Sequence, residues 1–531
     1  MATKIDIDNP PPDLKEAFDL LFESKAKEFV VEIIEAFDSK IDHLLRERTR
    51  IKVSLDATKA LPEFAQSRAR SDPEWQIAPL PKRLENRHLD IGDVAPSDTE
   101  RLARCLSANV QGIQVDFDDG HCPTWRNQIM GWYNVMRITN GSLPGSQCRS
   151  PKCIPILMLR PRAWNMVDHA VLVNGKEVPG ALLDFALLMY HNGRKLEAAE
   201  AGPCFYLSKL ESAAEAKVWD ELISWTEDKL GLPHGCTKTC VLIENVLASF
   251  EMEEILYALK DHSMGLNCGI WDYSASFINK FGHRREFILP DRSKYVNMER
   301  HFLKSYMKLV IRTCHKRGAL ATGGMAALLL PRDDEEKAKT VKERVRKAKA
   351  AEIKAGVDGF LVYDLGLVGT LQNLWSLMSD KSNQLDLPLE KGVKISPEDL
   401  LEMPSGGVTK PGLRANIKIG VKFIQCWLQG GSAGHFALDG SVEDSATAEI
   451  SRSQVWQWIR HAAKLEDTDE TVTRKMVFAM VHDLAGEDSD RESEEFQSAL
   501  EIFKQVVTKR DFPEFITTYL NFEHAWVGIH F

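Results

Sequence analysis

The sequence predicts an α/β protein: a (β/α)8 TIM barrel with an N-terminal helical cap and a C-terminal mainly helical domain. Two observations carry that reading. From about residue 108, short apolar runs alternate with longer amphipathic stretches. The runs are apolar on both faces, as parallel strands covered by crossover helices are. The expected division is 1–105 for the cap and connecting segment, 106–400 for the barrel with insertions, and 401–531 for the C-terminal domain.

The amino-terminal elements follow from capping and periodicity. After Pro10-Pro11-Pro12, Asp13 stands three residues before Glu16 and opens the apolar series Leu14, Phe18, Leu21 and Phe22. This spacing predicts a capping box and an amphipathic helix. Phe29, Ile33, Phe37, Ile41 and Leu44 continue the helical pattern to about Arg48. The expected strands are 112–117, 154–159, 204–207, 240–243, 265–271, 319–322 and 359–363, with one more missed or irregular. Residues 332–354 place acidic groups first and basic groups later, which suits the dipole of a solvated barrel helix. A Gly/Pro-rich break from Met403 to Gly412 then marks the last domain boundary.

Composition removes several function classes. The chain has 531 residues, 44% hydrophobic and 27% charged, which excludes a disordered or fibrous protein. A net charge of -10 argues against nucleic-acid binding, which needs a basic face. No run of about eighteen apolar residues indicates a membrane span. The ten cysteines are scattered, which suggests reduced thiols in a cytosol-like compartment. The pairs Cys148/Cys153 and Cys236/Cys240 resemble zinc half-sites, but no second pair completes either, and chance spacing is the better reading. Cytoplasm is the expected location, with a peroxisomal one left open: the amino terminus carries no signal core, and the ending Gly-Ile-His-Phe531 is not a Ser-Lys-Leu address.

Barrel enzymes collect reactive groups at the carboxyl ends of strands. Three charged residues stand there: Arg160 after Ile-Leu-Met-Leu, Glu244 after Val-Leu-Ile, and Asp272 after Cys-Gly-Ile-Trp. Glu244 and Asp272 lie one βα unit apart, which puts their carboxylates on neighbouring strands. Two carboxylates with water and substrate oxygens suit Mg2+, which keeps several non-protein ligands. Gly269 lets backbone amides approach an anion. Arg160 and Arg162 can stabilise an oxyanion or clamp a carboxylate. Asp444 opens a helix running to Trp456-Gln457-Trp458, where an acidic residue is ordinarily a cap.

Several blocks in one order raise these residues above their ordinary readings. They are Val-Asp-Phe-Asp-Asp119, Arg160-Pro-Arg, Leu182-Leu-Asp-Phe-Ala-Leu187, Val241-Leu-Ile-Glu244, the run from Lys260 to Tyr273, Cys314-His-Lys-Arg-Gly318 with Gly323-Gly-Met-Ala-Ala327, Gly412-Leu-Arg-Ala-Asn-Ile417, and Glu443-Asp444-Ser-Ala-Thr-Ala-Glu-Ile-Ser451. Together they resemble the shorter malate synthases of plants, fungi and bacteria. The resemblance implies condensation of glyoxylate with acetyl-CoA, followed by hydrolysis to malate and CoA. It implies Mg2+ on Glu244 and Asp272, glyoxylate on the backbone around Gly269, Trp271 and Asp272, Asp444 as catalytic base, and Arg160 stabilising the enolate. It implies small-molecule substrates and leaves a homo-oligomer open.

The chain departs from the family's usual text at several points. Ile270 replaces an arginine, Asp118 a glutamate and Gly120 a serine; Ala163 and Asn165 follow Arg162 in place of Gly and His. Tyr363-Asp-Leu365-Gly-Leu stands where His-Pro-Gly-Leu is usual, and Gly434-His435-Phe precedes Asp444. These departures open two alternatives: a related lyase or thioesterase acting on malyl- or citramalyl-CoA, and an inactive malate-synthase-like binding protein.

Overall fold

The computed structural model describes residues 4–388 and 394–524. Among them, eight parallel strands close into a barrel: β1 (Leu89–Val94), β2 (Gly112–Asp116), β3 (Ile156–Arg160), β4 (Cys204–Leu207), β5 (Lys238–Ile243), β6 (Ser263–Cys268), β7 (Leu320–Ala326) and β8 (Gly359–Val362). Each strand pairs with its predecessor in the chain, and β8 closes on β1. Seven of the eight are buried along their whole length, because helices cover the outer face and side-chain layers fill the interior. The carboxyl-terminal Gly-Ile-His-Phe531 lies outside the described residues.

The strand hidden from periodicity is β1, which lies ahead of residue 106. Leu-Asp-Ile-Gly-Asp-Val alternates apolar and polar residues like a half-exposed strand, yet all six residues are buried. Asp90 enters the interior paired with the buried Arg87, which also donates to the Tyr206 hydroxyl. Asp93 adopts a left-handed backbone, φ 50°, and the register with β2 shifts between Ile91 and Val94. This bulge breaks the alternation that a sequence reading depends on.

Strand β6 ends sooner than expected. The run expected to extend to Trp271 turns at Gly269, whose N–H donates to the Tyr306 hydroxyl, and helix Ile270–Phe281 begins. Trp271 and Asp272 therefore occupy a helix's first turn. At the amino terminus, Asp13 makes no capping box; its carboxylate pairs with Arg126 at 2.7 Å. The chain forms a short helix, Lys15–Leu21, and then a long one, Ser24–Thr58, which outruns the apolar series ending near Arg48. Its apolar stripe packs on the barrel's outer helices, with Phe29 and Phe37 each 6.0 Å from the Trp225 ring.

The C-terminal region has its own core, formed by helices Lys410–Gln429, Ser445–Arg460, Arg474–Glu487 and Glu494–Thr508. Helix Ser445–Arg460 joins that core to the barrel through buried polar side chains. Gln454 donates to Pro290 O, Gln457 to Phe287 O and Trp458 to Leu289 O, at 2.6–2.9 Å. All ten cysteines are free. Among the described residues, no helix is long and apolar enough to cross a membrane.

Barrel closure between β6 and β7 depends on Gly265. Its φ is +152°, and a Cβ there would lie 1.9 Å from Leu320 O. Gly265→Ala combines backbone strain with overpacking and is expected to lower unfolding free energy by about 3 kcal/mol or more. Urea unfolding followed by tryptophan fluorescence measures this; an unchanged midpoint contradicts so close a β6–β7 approach.

Candidate active site

The carboxyl ends of the barrel strands bring carboxylates around two buried cations. Arg160, the last residue of β3, is 3% exposed. Its Nη1 donates to Asp116 at 3.2 Å, and its Nη2 donates to Asp118 at 3.1 Å and to Asp119. Glu244, directly after β5, lies 3.9 Å from Arg160 Nη2. The second cation is Lys209, two residues beyond β4. Its Nζ donates to Asp118 at 2.6 Å and Asp119 at 2.7 Å, and lies 3.8 Å from Asp272 Oδ2.

Lys209 also acts through its backbone. Its N–H donates to Glu244 Oε1 at 2.6 Å, and its φ of 55° is a left-handed conformation costly for a long side chain. Arg48, from the long amino-terminal helix, donates to Lys209 O at 2.8 Å while paired with buried Glu215 at 2.7 Å. The remote helix thus braces a strained residue in the site.

Five carboxyl groups (Asp116, Asp118, Asp119, Glu244 and Asp272) share two cations. The environment sorts them. Burial pushes Asp119 up, but Arg160, Lys209 and the Ser445 hydroxyl outweigh it and hold its carboxyl well below the usual range. Burial raises Asp116 to about 7, beyond what Arg160 offsets. Burial also raises Glu244, and raises Asp272 strongly, with Lys209 opposing and the charge of Asp119 adding in both. This surplus of negative charge favours a bound cation.

Ligand oxygens of Asp119, Glu244 and Asp272 lie within 4.8 Å of one another. Both Asp272 oxygens are buried without a hydrogen-bond partner, an arrangement that costs free energy unless something else satisfies them. An all-oxygen set suits a hard divalent cation, so the residues present fit one. Gly269 permits the geometry: a Cβ there would stand 3.2 Å from Glu244 Cβ. The Trp271 side chain lies under the Arg292 guanidinium at 4.8 Å, while its backbone N–H belongs to the first turn of helix Ile270–Phe281, a position suited to an anion.

Asp444 caps helix Ser445–Arg460, as its sequence position suggests: its carboxylate accepts from Thr447 N–H at 2.9 Å, and Thr447 Oγ1 accepts from Asp444 N–H at 2.9 Å. It nevertheless reaches the cluster. The neighbouring Ser445 hydroxyl donates to Asp119. Burial and then the charge of Asp119 raise Asp444, against the Thr447 N–H and Asp93. Arg160, Glu244, Asp272 and Asp444 thus converge. Arg162 serves a different purpose, being fully engaged by Asp168 at 2.8 Å and Asp184 at 2.9 Å.

The family model "Malate synthase, TIM barrel domain" matches residues 156–403, and "Malate synthase, C-terminal" matches residues 407–523. A malate synthase of Myxococcus xanthus is 36% identical over 510 residues, covering 93% of this chain and 92% of that protein. The chain belongs to the malate synthase family. Malate synthase A of Escherichia coli is 35% identical over 506 residues, covering 93% of this chain and 94% of that protein. A glyoxysomal malate synthase of Candida tropicalis is 34% identical over 523 residues, covering 96% and 94%.

Several departures from the usual malate synthase text are explained by local contacts. Asp118 accepts from Arg160, Lys209 and Ala163 N–H. Gly120 leaves room for the β1 bulge, since a Cβ there would lie 3.2 Å from Asp93 backbone atoms. Tyr363 and His435 meet each other, hydroxyl to Nε2 at 2.6 Å. Sequence reasoning missed Asp119 and Lys209 as site residues. The signal for Asp119 was present in three carboxylates at one strand end; a lone lysine two residues past a strand gave none.

Breaking one partner of a buried ion pair typically costs 3–5 kcal/mol. Lys209→Met is expected to lose about that much unfolding free energy. The double variant with Asp119→Asn should recover part of it, because fewer uncompensated charges stay buried. Denaturant unfolding of the single and double variants measures the coupling; strictly additive losses contradict it.

Proposed function

We propose that this chain condenses glyoxylate with the acetyl group of acetyl-CoA and hydrolyses the malyl thioester to malate and CoA, with Mg2+ on Glu244, Asp272 and Asp119. One observation carries the reading. Within a single cluster, the Arg160 Nε–H and both Asp272 oxygens are buried without hydrogen-bond partners, an unmatched donor and unmatched acceptors near the half-buried Asp444 carboxyl, whose proton affinity is raised. When bound, the cation supplies Lewis acidity that polarises the glyoxylate aldehyde.

The protein groups account for the remaining work. Backbone N–H groups of Trp271 and Asp272, at the positive end of helix Ile270–Phe281, hold the glyoxylate carboxylate. Asp444 takes a proton from the thioester methyl; its raised affinity for a proton suits a weak carbon acid better than an ordinary carboxylate would. Arg160 Nε–H donates to the enolate oxygen that develops as the proton leaves. The Arg160 guanidinium is held on the other side by Asp116, Asp118 and Asp119, so it does not reorganise during the step. The methyl-derived carbon bonds to the aldehyde carbon as the C=O π pair moves onto the aldehyde oxygen, which takes up a proton to become the hydroxyl; water then adds to the thioester carbonyl, the C–S bond breaks, and CoA leaves as the thiol. Lys209 keeps Asp119 ionised and anchors Glu244.

The three-part division is part of this proposal: the cap braces Lys209 through Arg48, the barrel provides cation and glyoxylate sites, and the C-terminal helix brings Asp444. A cytoplasmic location and small-molecule substrates complete it.

Asp444→Asn separates chemistry from capping, because asparagine is an equally good N-cap. Thiol release from acetyl-CoA should require both glyoxylate and Mg2+. In the variant, kcat should fall about a hundred- to ten-thousandfold with unfolding free energy changed by less than about 1 kcal/mol. Thiol release by the wild type without glyoxylate, or unchanged kcat in the variant, defeats the assignment.

A further inference from the structure

At the opposite, amino-terminal end of the barrel, a second cluster joins helix Ala213–Leu230 to the segments entering β5 and β6. His262, immediately before β6, is fully buried. Its Nδ1 lies 2.7 Å from Asp220 Oδ1, and its Nε2 lies 3.2 Å from Glu227 Oε2. The same Glu227 oxygen stands 3.4 Å from His234 Nδ1. The two imidazoles are nearly perpendicular, with centroids 5.0 Å apart. One donor atom from each of Glu227, His234 and His262 lies within 4.8 Å of the others.

Four features suit this cluster to a metal ion. Metal–ligand bonds of about 2.1 Å in a tetrahedron place neighbouring donors about 3.4 Å apart, and the two donor separations from Glu227 match that edge. His262 has the orientation of a ligating histidine, with one nitrogen fixed by a carboxylate and the other turned to further donors. Glu227 is itself fixed by the N–H groups of Gly235 and Thr237, each at 2.8 Å. The side chain of His234 is 63% exposed and gives solvent a route in.

We propose that Glu227, His234 and His262 form a binding site for a divalent cation of zinc type, separate from the all-oxygen cluster at the other end of the barrel. Two imidazoles and one carboxylate select a borderline metal over magnesium. The Cys236 thiol, 3.6 Å from Glu227 Oε1, stands next to the site, whereas Cys240 belongs to the buried β5; the spacing of these two cysteines was chance, but one of them borders a real cluster. Lys238, which enters β5 beside the cluster, turns its Nζ away to Asp261 O at 2.9 Å. Bound metal would tie the helix to both strand entrances.

The test is calorimetric titration of the metal-stripped full-length protein with Zn2+ near neutral pH. The wild type should bind zinc, and the binding should persist in Asp272→Asn, which disables the all-oxygen cluster. His234→Ala removes only an exposed side chain and should weaken this binding at least tenfold, as Glu227→Gln should. Equal zinc binding by wild type and His234→Ala, or loss of all zinc binding in Asp272→Asn, overturns the proposal. Neither result depends on enzymatic activity.

Discussion

The site depends on two buried cations holding more carboxylates than they can neutralise. Arg160 and Lys209 draw together groups from the ends of β2, β5 and β6, and from a distant helix through Ser445 and Asp119. Burying either cation alone would be costly, and burying the carboxylates without them more so. The surplus is then a design constraint. Negative charge is left over after pairing, and neither Asp272 oxygen accepts a hydrogen bond.

That constraint explains why the site draws on every part of the chain. Strand ends place Arg160, Glu244 and the Asp119 segment. A helix start places Asp272 and the backbone donors. The C-terminal domain provides Asp444 on a helix anchored in the barrel by Gln454, Gln457 and Trp458. The amino-terminal helix contributes no reacting group, yet Arg48 holds the carbonyl of a residue whose backbone is strained.

Most of the barrel was legible because parallel strands buried on both faces read as apolar runs, and seven of them did. Strand β1 did not, since Asp90 and Asp93 interrupt it; Asp90 is accommodated by Arg87 three residues earlier, and Asp93 lies at a bulge. Arg160, Glu244 and Asp272 were legible as charges at strand ends, although Asp272 reaches its place through a helix rather than a strand. The capping box expected at Asp13 did not form because a short turn, Pro12–Leu14, precedes the helix and takes Asp13 out of the N-cap position; its carboxylate pairs instead with Arg126. Lys209 was illegible: its importance comes from a left-handed turn and a contact with residue 48, neither of which leaves a local pattern.

The contact between Tyr363 and His435 makes the barrel and the C-terminal hairpin a matched pair. A 2.6 Å hydrogen bond joins the end of β8 to the hairpin leading to Asp444. Removing either ring leaves the other half-buried without that partner, so the two positions are coupled rather than additive. A chimera that takes its barrel from one parent and its C-terminal region from another has to carry the two residues together.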